Sequence, residues 1–280
     1  EGVDGLDEPM PVKPGQHYAM GGVECDENGE TCISGLYAAG ETACVSLHGA
    51  NRLGGNALPE LLVFGARAGY HAAGKDMKTA EIGTGPSAKS EDGGVDSPGE
   101  PGAVDTTDGD VAADGGVAAE PAAVVEHTVE QERERVETLL EEDGINHAEV
   151  RADVQETMTQ NVNVFREEDG LKTALRDLRE ARKEYEHVAV SDPSRTYNTD
   201  LIHTIARRNI LDVAEAITLG ALAREEFRGA HWRAEHQERK DEEWIKHTML
   251  AWSDGTPDLY YKPVILDGDE ETYEPKERSY

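Results

Sequence analysis

The stretch LHGANRLGGNALPELLVFGARAG, residues 47–69, gathers His48, Asn51 and Arg52 on one glycine-bracketed turn, follows them with Gly54, Gly55 and Asn56, and then runs into a helical pattern. A turn of Gly, Asn and Arg presents bare backbone N–H groups and a guanidinium beside a helix N-terminus, which together form a receptor for negative charge. Two other stretches carry chemistry. His17-Tyr18-Ala19-Met20-Gly21-Gly22 sets a His at the start of a predicted strand, with a glycine pair that permits close approach of another group. Gly35-Leu36-Tyr37-Ala38-Ala39-Gly40-Glu41 reads as a strand ending in Gly-Glu, which delivers the Glu41 carboxylate where open α/β sheets bind ligands. His48 reads either as a neighbour of the bound anion or as packing between turn and helix. Glu60 and Arg67 fall on the polar side of the helix, solvated or paired.

These side chains need elements to hold them. Residues 18–23 and 35–39 are predicted strands, with Cys25-Asp26-Glu27-Asn28-Gly29-Glu30 as the polar turn between them. Residues 57–73 are a predicted helix, because Leu58, Leu61, Leu62, Gly65 and Ala68 recur at helical spacing and Pro59 fits a first turn. Its small residues Gly65, Ala66 and Gly69 would let it lie close to a sheet. Residues 81–125 hold no aromatic residue and no Leu, so they cannot bury enough apolar surface to offset the entropy of ordering; they read as a disordered acidic linker or insertion. Helical periods follow: Val129, Val136, Leu139 and Leu140 up to Asp143-Gly144; Val150 to Phe165, ending at Asp169-Gly170; Leu171, Leu175, Leu178 and Tyr185; and, with N-cap chemistry offered by Asn198-Thr199-Asp200, a helix through Ile205, Ile210, Leu211, Val213, Ile217 and Leu222. Short loops between such helices make an antiparallel bundle. The last stretch is mixed, with edge strands expected at 259–261 and 264–266.

The fold class is therefore α/β plus α, in four blocks: 1–80, the end of an α/β domain with the anion loop; 81–125, the acidic linker; 126–230, the helical bundle; and 231–280, a small mixed tail. Of 280 residues, 58 are acidic and 27 basic, for a formal charge of -31. Such a surface repels nucleic acid and anionic lipid, which excludes nucleic acid as a partner. Acids dispersed along the whole chain suit a protein hydrated in concentrated salt, where screening removes self-repulsion; a halophile's cytoplasm is the expected setting. Cys25, Cys32 and Cys44 lack metal-ligand spacing and read as buried thiols in a reducing compartment, and no metal site is expected. No stretch approaches the ~20 apolar residues of a membrane span, so any membrane contact is through a partner. The chain opens on Glu1 with a motif from the middle of a domain, and reads as the C-terminal portion of something longer.

The order H-Y-x-M-G-G, G-L-Y-A-A-G-E, H-G-A-N-R-L-G-G-N-x-L resembles the flavoprotein subunit of succinate dehydrogenases and fumarate reductases. Arg224 to Arg233, reading REEFRGAHWR, then Asp241 to Thr248, DEEWIKHT, and the closing PKER resemble the same subunit's C-terminal region. The resemblance covers nearly everything except 81–125. It implies the end of an FAD-binding α/β domain, with FAD as cofactor. His17 then matches a substrate-binding His, and Arg52 the Arg that clamps a substrate carboxylate. Glu41 matches the acid that hydrogen-bonds the flavin's ribityl region, and Ala57 and Leu58 the pair whose backbone meets the pyrimidine end of the flavin. Physics agrees with these placements: a dicarboxylate needs a bidentate cation, and a reduced flavin carries negative charge that a helix N-terminus stabilises. Ala57 stands where the family has Ser, so no side-chain hydroxyl is available there, and Phe227 stands where Ser is common.

The resemblance further implies succinate oxidation to fumarate, with electrons leaving through an iron–sulfur subunit to membrane-anchor subunits and quinone, at the cytoplasmic face of the cell membrane and without direct membrane insertion. The G-x-G-x-x-G motif, the His that carries covalent flavin and the proton-shuttling Arg of the family have no counterpart here. No catalytic residue is assigned, and this chain alone is expected to be inactive. Fumarate reductase shares nearly all the motifs. L-aspartate oxidase has a different C-terminal end, and a helical interaction module is the non-enzymatic alternative. Arg228, His231 and Arg233 look catalytic by composition, but an Arg-rich turn after a long helix reads more simply as a tie between the bundle and the next domain.

Overall fold

The computed structural model describes residues 9, 17–75, 121–141, 143–253 and 255–266, in which helix and sheet are mixed. The chain forms two compact units, residues 76–136 and the remainder, which joins 1–75 to 137–280. The predicted insertion lies outside the described residues, apart from its last five, which open a helix.

In the first block, strand β1 (Val23–Glu24) pairs in parallel with β2 (Ala43–Cys44), Val23 opposite Ala43. Neither predicted strand forms as drawn. Gly21 and Gly22 have φ of 87° and 140°, and Gly35 and Gly40 have 81° and 79°, so left-handed backbone interrupts both runs where they were expected to extend. Gly22 does provide the close approach its motif suggested, since a Cβ there would lie 2.5 Å from the Thr42 carbonyl oxygen. The polar turn forms as expected: Asp26 Oδ1 accepts from the N–H groups of Asn28 and Glu30. A 3₁₀ turn, Gly40–Thr42, leads into β2.

Helix α1 (Ala57–Ala72) spans the predicted segment, but its orientation differs from the expectation. Leu58 and Leu62 are 67% and 69% exposed, whereas Glu60 and Ala68 are the buried pair. The close approach is made by Ala68, whose Cβ would meet one built on Gly29 at 3.1 Å; Gly65 and Gly69 face open space.

Helix α2 (Pro121–Glu141) starts ahead of the expected boundary at 126, and its residues in the smaller unit carry local Arg133–Glu130 and Arg135–Glu132 pairs. Strand β3 (Ile145–Asn146) pairs in parallel with β4 (Val188–Ala189), and α3 (His147–Asn161), α4 (Glu168–Tyr185) and α5 (Thr199–Ala223) pack on one another. Asn146 and Asn198 cap α3 and α5, their Oδ1 atoms accepting from Ala148 N and Leu201 N. The second helix stops short of Asp169-Gly170 because Arg166 Nε turns back to the carbonyls of Val162 and Asn163, and the Glu235 carboxylate then caps Glu168 N to restart the helix. Gly170 consequently sits inside α4.

The expected leucine stripe is core: Leu171, Leu175 and Leu178 are buried with Ala174 and Ala181. On α5 the buried face is Thr204, Leu211, Ala214, Glu215, Thr218 and Ala221, leaving Ile210, Val213 and Ile217 exposed. Small residues let α4 approach there, and Glu215 is matched by Arg179 and Arg182. Val150, Val154, Leu178, Ala181, Val188, Leu211 and Ala214 form the larger core cluster.

After the one-turn helix α6 (Asp241–Trp244), strands β5 (Lys246–Ser253) and β6 (Thr256–Pro263) make an antiparallel hairpin. Residues 259–261 fall in β6; 264–266 form no strand, and the partner strand is β5, which the sequence reading did not identify. The three cysteines are free, Cys32 exposed and Cys25 and Cys44 half-buried, so the expectation of uniformly buried thiols fails. Among the described residues no helix is long and apolar enough to cross a membrane, and no His/Cys/Asp/Glu cluster could hold a metal.

Candidate functional site

The three chemical stretches converge on Arg52. Its Nε donates to the Ala19 carbonyl at 3.1 Å, Nη2 to the Glu41 carbonyl at 3.2 Å and Nη1 to Glu60 Oε2 at 2.6 Å, while the Tyr18 ring centroid lies 5.2 Å from Cζ. Glu41 closes the ring from the other side: its Oε1 accepts from Ala19 N at 2.8 Å. His17 is exposed, its ring tilted against Tyr18 with centroids 4.9 Å apart. His17, Glu41 and Arg52, each singled out in the sequence, are thus joined through Tyr18 and Ala19.

The guanidinium is not the free cation that the turn's composition suggested. Glu60, 3% exposed, is paired with it, and the same Oε2 meets His48 Nε2 at 2.8 Å. His48 Nδ1 accepts from Leu53 N at 3.1 Å, so its proton is carried on Nε2 and points at the carboxylate. His48 therefore packs between turn and helix, the simpler of its two readings. Of the two readings of Glu60, solvated or paired, the second holds; its burial and its partner went unread, because an acid in a helix's first turn is ordinarily a solvated partner of the dipole. The available signal was its place on the same turn-to-helix junction as Arg52.

Ala57 and Leu58 begin α1, and the Asn56 side chain makes no cap. Pro59 has no N–H, and the N–H of Glu60 already reaches the Asn56 carbonyl at 3.0 Å, so the N–H groups of Ala57 and Leu58 are the first-turn donors without an intrahelical acceptor. Cβ atoms built on Gly54 and Gly55 would meet nothing within 4 Å. Open glycine backbone, two donors and a helix dipole fit an acceptor-rich ring edge such as the pyrimidine end of a flavin.

The turn after α5 reaches this loop. Ala230 N donates to the Ala50 carbonyl at 2.9 Å, and Gly229, at φ 57°, sits so close that a Cβ would lie 2.6 Å from that oxygen. The flanking charges are spent on structure. Glu226, fully buried, accepts from Arg224, Arg228 and Lys240 N; burial pushes its pKa up, but these donors outweigh it and hold the carboxyl below the usual range. Arg239 and then Arg228 hold Asp241 down at about 2. Arg233, 1% exposed, donates to the Leu222 carbonyl at the end of α5. His231 is pushed down to about 4, chiefly by burial; its Nε2 donates to the Arg224 carbonyl and its Nδ1 accepts from Arg166. The Arg-rich turn is a tie, as the plainer sequence reading had it, and it also anchors the loop that carries Arg52. The hairpin also reaches the first block: His247 Nε2 meets Ser46 Oγ at 2.9 Å, and Glu24 accepts from Lys262 Nζ at 2.6 Å and from Tyr260 Oη at 3.5 Å.

Comparison with known proteins gives two family matches, an FAD binding domain over residues 1–58 and the fumarate reductase flavoprotein C-terminal region over residues 151–280. The fumarate reductase flavoprotein subunit of Mycobacterium tuberculosis is 37% identical over 99% of this chain and 42% of its own length. The corresponding Escherichia coli subunit is 35% identical over 100% of this chain and 40% of its own length. The succinate dehydrogenase flavoprotein subunit of Rickettsia bellii is 34% identical over 95% of this chain and 40% of its own length. Among solved structures, a quinol-fumarate reductase with menaquinol superposes with a TM-score of 0.74 at 34% identity, covering 95% of this chain and 40% of that one. A Mycobacterium smegmatis Sdh1 complex gives 0.65 at 27%, covering 89% of this chain and 36% of that one. The chain thus spans about two-fifths of the length of the relatives it matches. The FAD binding domain match and the flavoprotein relatives indicate FAD as the cofactor. The chain belongs to the succinate dehydrogenase/fumarate reductase flavoprotein family, matching an FAD binding domain over residues 1–58 and the flavoprotein C-terminal region over residues 151–280.

Proposed function

We propose that this chain supplies the carboxylate clamp and part of the flavin cradle of a subunit that interconverts succinate and fumarate, with succinate oxidation as the working direction. Arg52 and His17 hold substrate carboxylates. The guanidinium plane is fixed by contacts to Ala19, Glu41 and Glu60, so its remaining N–H edges meet a carboxylate without reorganising. Glu41, whose Oε1 is engaged by Ala19 N, offers its other oxygen to ribityl hydroxyls, and the N–H groups of Ala57 and Leu58 receive the pyrimidine edge of the flavin. FAD, when bound, accepts the hydride removed from succinate. The α1 dipole stabilises the negative charge that accumulates there. None of these residues is assigned as the proton-transfer base.

The single observation that carries this reading is the tethered guanidinium of Arg52 beside an uncapped helix N-terminus. Electrons then pass to an iron–sulfur subunit and through membrane-anchor subunits to quinone, and these partners hold the subunit at the cytoplasmic face of the membrane. Fumarate reduction is the second reading, supported by relatives of that name at 34 to 37% identity. The C-terminal match over residues 151–280 favours both over L-aspartate oxidase or a non-catalytic helical module. In the complete subunit, Arg52→Ala is expected to retain flavin and lose most turnover with succinate and with fumarate. Unchanged kinetics would overturn the clamp. Assays with succinate, fumarate and aspartate on the unaltered enzyme separate the substrate readings.

A further inference from the structure

We infer that Glu60 is the positioning residue of the Arg52 clamp, acting through the buried chain Arg52–Glu60–His48; the inference rests on the clamp reading above. Glu60 Oε2 is the only charged acceptor on the guanidinium among the described residues, at 2.6 Å from Nη1, and both side chains are nearly closed to solvent, 2% and 9% exposed. The other two acceptors, the Ala19 and Glu41 carbonyls, are neutral and belong to the loop and 3₁₀ turn of the first block. The Glu60 bond pairs two charged partners and is the shortest of the three, 2.6 Å against 3.1 and 3.2 Å, so Glu60 sets the rotation of the guanidinium and the carbonyls complete it. Because Glu60 lies on α1 three residues past Ala57, the clamp is indexed to the helix whose first turn is offered to the flavin. His48 keeps the carboxylate from turning away: its Nε2–H meets the same oxygen, and its Nδ1 is held by Leu53 N.

The pairing also changes what the clamp is. A lone guanidinium attracts any anion, whereas a guanidinium neutralised by a buried carboxylate binds through the direction of its free N–H groups. Losing Glu60 therefore has two opposed effects: the freed charge favours anion binding, and the lost orientation disfavours a dicarboxylate held in register with the flavin. Positioning predicts that the second effect prevails.

The test uses the complete flavin-loaded complex, with malonate as a dicarboxylate probe read through the flavin spectrum, and succinate kcat and KM measured separately. Glu60→Gln keeps size and loses charge; malonate Kd is expected to rise on the order of ten- to a hundred-fold, with kcat falling and KM rising. Glu60→Asp, a carboxylate one methylene shorter, is expected to raise malonate Kd only about two- to threefold over the unaltered enzyme. In an Arg52→Ala background, Glu60→Gln is expected to add nothing, because its effect passes through Arg52. Unchanged or tighter malonate binding by Glu60→Gln, or a full additional loss in the Arg52→Ala background, overturns the proposal. If the Gln variant fails to load flavin, Glu60→Asp carries the test: malonate Kd raised about two- to threefold at full flavin content supports positioning, and an unaltered Kd overturns it. If Arg52→Ala itself leaves kinetics intact, the clamp reading fails, an outcome separate from failure of Glu60 alone.

Discussion

Arg52 and Glu60 make a buried pair, so removing one member strands the other. Arg52→Ala leaves the Glu60 carboxylate with His48 as its remaining partner, an expected loss of about 1–3 kcal/mol that a lower melting temperature would register. This side of the site was only half legible in the sequence. Arg52, Glu41, Ala57 and Leu58 are visible because glycines and a helix start surround them. Glu60 is not, because burial of an acid depends on which way α1 is turned, and that is decided by Ala68 against Gly29 far along the chain. His231 gives a second residue-scale expectation. Its folded pKa is lowered from 6.5 to about 4, so the unfolded chain takes up a proton that the folded one refuses. Its contribution to stability is present above pH 6.5, falls as pH drops toward 4, and does not change further below. A thermal melt between pH 4 and 7 should show this slope, and His231→Gln, which keeps a donor and an acceptor, should flatten it.

Among the elements, helices were read from sequence far better than strands. The run Asn198-Thr199-Asp200 announces α5 because a cap is local, and the leucines of α4 repeat at a helical period, whereas the Asn146 cap of α3 went unread. The strands of the first block are two residues long and bounded by left-handed glycines, so no alternation has room to appear. On α5 the long aliphatic residues mislead, since the packed face is made of small residues and a paired Glu215. The turn at Gly229 was legible as a tie, but its destination was not, for nothing near position 230 indicates a carbonyl at position 50. Gly229→Ala places a Cβ 2.6 Å from the Ala50 oxygen at a positive φ, an expected cost of about 1–3 kcal/mol together with a several-fold weaker malonate affinity in the complete complex. A variant that melts and binds as the parent does would show that the joint has no bearing on the loop.

Taken whole, the molecule carries -31 formal charges, and its buried acids are paired where elements meet: Glu226 with Arg224 and Arg228, Glu215 with Arg179 and Arg182, and Glu60 with Arg52. Salt screens the exposed carboxylates more than these buried pairs, so the melting temperature should climb as salt is raised from about 0.1 M to about 1 M, where the Debye length shortens from roughly 10 to 3 Å. A salt-independent melt would remove the support for a halophilic setting. Composition alone raises this expectation, whereas the joining of residues 1–75 to 137–280 in one unit left no mark in the sequence. The bond from Ala230 to Ala50 gives that joining a temporal meaning. During synthesis the loop leaves the ribosome long before the residues that fasten it, so the nascent loop stays unlatched until the distal turn has been made.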